Sequence, residues 1–202
     1  METKTYFINS QGQGMDDALE GTEVLGTAAG LQRKEVLRLR LLAEELFGLL
    51  RSISGRMEAA YQAAESDKCF SLSMTAEFPQ NRSTRKQLLS VSTKGTNAAA
   101  RSFMGKIRDM IEELLLPDAD DPSLFALGVM GMGASNGDYF NRDCYEWSMQ
   151  AYKAGVEDHL GESSEADAAW DEMEKSIVAN IADEITVSIS GSEVETVIYK
   201  AF

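Results

Sequence analysis

One histidine, two cysteines and three prolines in 202 residues leave several chemistries short of parts. His159 stands alone in an acidic segment, so a Ser-His or Cys-His nucleophile has nothing to build on, and no G-x-S-x-G elbow occurs. Cys69 and Cys144 share no ligand spacing with each other or with His159, which removes a zinc site, and two isolated cysteines are no disulfide framework. Both read as buried free thiols, and the expected compartment is the reducing cytoplasm. No Pro-rich linker, repeat or low-complexity block divides the chain. No apolar run approaches the roughly 20 residues that span a bilayer, and Met1 leads into polar residues unlike a signal peptide. A Walker A loop is absent, and Gly131–Gly137 (GMGASNG) reads as a turn, without the strand and helix that frame a dinucleotide fingerprint.

Basic residues are scarce as well: 19 against 33 acids, a net charge of −14. That balance argues against general nucleic-acid binding, where affinity comes from neutralising phosphates. The charge is uneven. Eight basic residues between Lys68 and Arg108 meet one acid, Glu77, whereas twelve acids between Glu157 and Glu195 meet only Lys175. A local basic region in an acidic protein can hold a small anion without inviting long polyanions. The two regions can equally attract each other across the fold.

What the chain has in plenty is amphipathic helix. In Val36–Ser54 (VLRLRLLAEELFGLLRSIS), Val36, Leu39, Ala43, Leu46, Phe47, Leu50 and Ile53 form one broad apolar face. Leu37, Leu41, Glu44, Gly48, Arg51 and Ser52 lie opposite, and the two leucines predict that this second face is covered too. Before this helix come a short strand, Thr5–Asn9, and a helix over Asp16–Ala29 weakened by Gly21 and Gly26. After it, the helical pattern continues through Met57 and Tyr61 toward Ala64. Cys69–Phe78 alternates strictly and predicts a strand with one face in the core. Lys86–Val91 is short and apolar, followed by the polar loop Ser92–Asn97.

A helix from Ala98 to Leu116 is predicted by Phe103, Ile107, Met110 and Ile111, with Pro117 as its stop. Leu124–Met130 is a further apolar run. Cys144–Val156 reads as a helix, and Ser164-x-x-Asp167 as a capping box for another carrying Ala169, Trp170, Met173, Ile177 and Ile181. The chain closes in a hairpin about Gly191-Ser192. Four strands among six helices predict an α+β fold: one mostly antiparallel sheet with helices on one face, and a helical elaboration at about 117–162.

Chemistry then rests on the Glu44 carboxylate, which can accept a proton, and on the basic, glycine-bearing stretches Lys94-Gly95 and Gly105-Lys106 with Asn97 and Arg108, which suit phosphate near a helix start. The order strand, helix, glutamate-bearing helix, strand, glycine-bearing loop, helix and C-terminal hairpin resembles the histidine-kinase-like (GHKL) ATPase superfamily. Within it the anti-sigma-factor serine kinases are the nearest well-understood branch. Stretches such as LRLLAEELFGLLRSI, LLSVSTKGTNAAARSFMGKIRDMIE and VETVIYKAF resemble bacterial proteins of that kind. The resemblance covers about residues 1–116 and 164–202 and implies a single two-layer, Bergerat-like domain binding ATP or ADP.

It also implies roles for particular residues. In the family's E-x-x-x-N helix motif the Glu activates the attacking group and the Asn binds magnesium; Glu44 matches, and Gly48 stands where the Asn belongs. The family's adenine-recognising D-x-G-x-G is absent after Cys69–Phe78, where only Glu77, Gln80 and Asn81 are polar. Ser92–Asn97 and Gly105-Lys106-Ile107 correspond to its lid and second glycine motif. The resemblance thus implies a nonclassical GHKL-like domain that binds a nucleotide or another phosphorylated ligand, with Glu44 as general base and Gly48, Lys94, Gly95, Asn97, Gly105, Lys106 and Arg108 around the ligand. Magnesium binding and efficient ATP turnover are not expected. The ligand would regulate a partner protein. The alternatives are a ligand-free interaction domain derived from this fold and, third, an active serine kinase.

Overall fold

The computed structural model describes residues 1–53, 57–77, 103–114 and 144–202. Within them lie six strands: β1 (Tyr6–Asn9), β2 (Glu58–Ser66), β3 (Cys69–Glu77), β4 (Cys144–Ser148), β5 (Glu184–Ser190) and β6 (Glu193–Ala201). Six helices accompany them: α1 (Met15–Ala28), α2 (Arg33–Ser52), α3 (Phe103–Leu114), α4 (Met149–Glu157), α5 (Ser164–Lys175) and α6 (Ile177–Ile181). The strands form one open antiparallel sheet in the order β1-β2-β3-β6-β5-β4. The fold is α+β, and no helix among the described residues is long and apolar enough to cross a membrane.

Register assigns the two faces of the sheet. Opposed residues share a face, so Tyr61 with Met74, Leu72 with Ile198, Ile185 with Ile198 and Trp147 with Val187 place apolar side chains from five strands on one face. Ile8 on β1 extends it beside Ala59. These residues pack with Leu39, Leu46, Phe47 and Leu50 of α2 and with Phe103, Ile107 and Ile111 of α3 in a single core. The ring of Phe47 meets Tyr61 edge-on at 4.8 Å.

Two glycines in α1 sit where a side chain would press on a neighbour. A Cβ on Gly21 would lie 2.0 Å from the Tyr6 hydroxyl, and one on Gly26 would crowd Leu39 at 3.2 Å. Gly14, at φ 78°, turns β1 into α1 with no room for a side chain against the Phe7 carbonyl.

Several expectations are corrected. Residues 58–66 do not prolong the central helix but form β2, joined to β3 by a turn in which Asp67 and Lys68 both take positive φ. Cys144–Ser148 is edge strand β4, and only Met149–Glu157 is helical. The expected elaboration at 117–162 is therefore partly sheet; residues 117–143 lie outside the described residues, as do Lys86–Val91, Leu124–Met130 and Gly131–Gly137. Ser163, not Ser164, caps α5 by accepting from the Ala166 N–H, while Asp167 accepts from Gly161 N at 2.9 Å. The helix then breaks at Ser176, so Ile177 and Ile181 belong to α6, and Ile177 is exposed. Cys69 is an exposed thiol at a strand end rather than a buried one.

Candidate functional site

The site predicted from sequence is the outer face of α2. The helix starts at a reciprocal cap: the Gln32 side chain accepts from the Glu35 backbone, and Glu35 Oε2 accepts from Gln32 N at 2.7 Å. Its buried residues are Leu39, Leu42, Ala43, Leu46, Phe47, Leu49 and Leu50, spanning about 160° when the helix is wound at ~100° per residue. Leu37, Leu41, Glu44 and Gly48 fall on the opposite side, and all four are exposed. Leu37 and Leu41 are 50% and 39% exposed, so the outer face is open where a cover was expected.

On that face Arg40 Nε donates to Glu44 Oε1 at 2.7 Å, one helical turn away, and Arg40 Nη1 donates to Glu23 on α1. The hydrogen bonds that Arg40 donates to Glu23 and then to Glu44 raise its pKa. The neighbouring Glu45 is half-buried, and desolvation, followed by the adjacent Glu44 charge, raises its carboxyl pKa. Sequence reasoning passed over Glu45; its place at the border of the apolar face was the available signal. A Cβ on Gly48 would meet nothing within 4 Å, so neither packing nor a positive φ calls for glycine there.

The other predicted residues are engaged elsewhere. Lys106 Nζ pairs with Glu172 Oε2 at 2.7 Å, tying α3 to α5, and Arg108 Nε donates to the adjacent Asp109 at 2.9 Å. Gly105 is buried in the first turns of α3. Lys94, Gly95 and Asn97 lie outside the described residues. Lys106 and Arg108 are thus engaged in separate pairings. The Lys106–Glu172 bridge is the attraction between the basic and acidic regions that the charge distribution allowed.

Among the described residues a magnesium site is not assembled around Glu44 and Gly48. Gly48 offers no ligand, and among the described residues no three His, Cys, Asp or Glu side chains are grouped to hold a metal ion. What the face does combine is an accessible carboxylate, a guanidinium that holds it, and an uncovered leucine pair. No family model, curated protein or solved structure matches this chain.

Proposed function

We propose that this chain is a nonclassical GHKL-like domain that binds a nucleotide or another phosphorylated ligand on the outer face of α2 and thereby regulates a partner protein. The observation that carries the reading is the position of Glu44, exposed on the central helix, with Gly48 one turn on over open space and Leu37 and Leu41 uncovered beside it. An apolar strip next to a polar, charged pair suits a ligand with a flat apolar part and a polar part. The order of elements supports the same reading: strand, two helices, antiparallel hairpin, helix, and closing hairpin. The cytoplasm is the compartment that suits a free thiol at Cys69. Without a magnesium ligand at residue 48, phosphoryl transfer is not part of the proposal.

A second reading, a ligand-free interaction domain, draws on the ion pairs at Arg40–Glu44 and Lys106–Glu172, which neutralise charges a phosphate would use. Thermal midpoints separate the two. A ligand that binds only the native state stabilises it by RT ln(1 + [L]/Kd), about 2.7 kcal/mol at a hundredfold excess. The first reading expects one or more members of a panel of nucleotides and phosphorylated metabolites at millimolar concentration to raise the midpoint. A panel that leaves the melting curve unmoved selects the second reading.

A further inference from the structure

The helices cover one face of the sheet, and the other face is built quite differently. Its centre carries short side chains, among them Ala60, Ala64, Ser71, Ser73, Thr75 and Ser188. Every ionisable side chain described on this face is acidic, apart from a tyrosine and a cysteine: Glu58, Glu77, Glu146, Glu184, Glu193 and Glu195. Glu195 is held by Ser73 Oγ at 3.0 Å and Glu184 by Ser148 Oγ at 3.0 Å. At one end the acids align. Glu77 directly opposes Glu193, and one step along the β2–β3 register Glu58 comes beside Glu77. Adjacent strands are about 4.8 Å apart, so the row spans roughly 10 Å.

Like charges directly opposite on a sheet are destabilising, and among the described residues none of these three has an ion-pair partner. The row borders a cleft of about 840 Å³ between β1 and the start of α1, where Asp17 adds a fourth carboxylate and Phe7 stands 82% exposed. The carboxylates form a row and not a metal cage.

We infer that this sheet face docks a Lys/Arg-bearing segment of a partner protein, its cations across Glu58, Glu77 and Glu193 and an apolar residue against Phe7. Charge selects the occupant. Polyanions and anionic membranes are repelled, and a second copy packing this face against itself would bring acids with no described cation to answer them. An extended segment places alternate side chains ~6.4–6.8 Å apart, a spacing at which two or three cations can serve the row. The inference deepens the partner half of the proposed function, and its test contains no nucleotide, so its failure leaves the ligand reading standing.

The probe is a fluorescein-labelled peptide of alternating lysine and threonine, with its glutamate–threonine counterpart as control, followed by anisotropy across a salt series. The expected result is binding of the lysine peptide that weakens with salt and falls about tenfold in the double variant Glu77→Gln/Glu193→Gln. Removing the same charge through Glu157→Gln/Glu162→Gln should change affinity less than about twofold. The Glu77→Gln/Glu193→Gln protein should also melt no lower than the parent, since relief of like-charge opposition cannot cost stability. No binding, equal losses in both double variants, or a lower melting point for Glu77→Gln/Glu193→Gln would each overturn the inference.

Discussion

Arg40 holds Glu44 on the outer face of the central helix, Nε to Oε1 at 2.7 Å, while its other arm reaches Glu23 on the preceding helix. One guanidinium therefore serves two carboxylates, linking α1 to α2 and orienting the acid that the proposed function depends on. The pair is open to solvent, so salt should screen it. A double-mutant cycle with Arg40→Ala and Glu44→Ala should give a small favourable coupling at low ionic strength that fades toward zero in molar salt. Coupling that persists there would place the pair in a drier setting than its exposure indicates.

Glycine at 48 should cost stability without serving the fold. With open space around its Cβ position, Gly48→Ala is expected to raise unfolding stability by about 0.5–1 kcal/mol, measurable by urea denaturation. If the outer face of α2 receives a ligand closely, the same change should weaken nucleotide-induced stabilisation. A loss of stability in Gly48→Ala would mean that an unrecognised neighbour occupies the space.

The hydroxyls of Thr22 and Tyr61 lie 2.8 Å apart in the core, and Thr22 also bonds the Ala18 carbonyl at 2.8 Å. Since Thr22 donates to that carbonyl, Tyr61 is the donor between the two hydroxyls. Tyr61→Phe leaves only an acceptor lone pair unused and should cost about 1 kcal/mol. Thr22→Val strands a buried donor and should cost more, about 1–3 kcal/mol. Equal or reversed costs in chemical denaturation would contradict this direction of donation.

Two phenols predict a fall in stability at high pH. Burial pushes Tyr145 up from 10.0 to about 12 and raises Tyr61 further. The unfolded chain releases these protons first, so the native state is fully favoured below pH 10.0 and loses that advantage as pH rises toward about 12. For half-buried Tyr145 a two-unit shift, discounted for solvent, corresponds to about 1–2 kcal/mol. Tyr145→Phe should flatten the decline in that window, as read by denaturation from pH 9 to 12.

The central helix, β1, β3 and the closing hairpin were legible in the sequence because large apolar residues contrast with polar ones at the right period. Strand β2 was hidden because its two faces look alike. Ala59 and Ala63 point inward while Ala60 and Ala64 point outward, and alanine is also the best helix former. Asp67-Lys68 was the missed signal, a two-residue turn with positive φ at both positions, which suits a hairpin. In β4, Tyr145 and Trp147 alternate for only five residues before α4 begins, too short a run to outweigh the helical spacing of Met149 with Tyr152. The phase of Glu44 followed from helical winding. The pairing of Lys106 with Glu172 could not be foreseen, since it depends on how α3 and α5 meet in space.

Equilibrium binding of labelled ATP, with and without magnesium, tests the reading of the α2 face most directly. The account predicts saturable binding that is the same with the metal as without it, because residue 48 supplies no ligand. Leu41→Asp, which charges the uncovered strip, should weaken that binding about tenfold or more while leaving the core intact. Absence of binding, binding that requires magnesium, or binding indifferent to Leu41→Asp would contradict it.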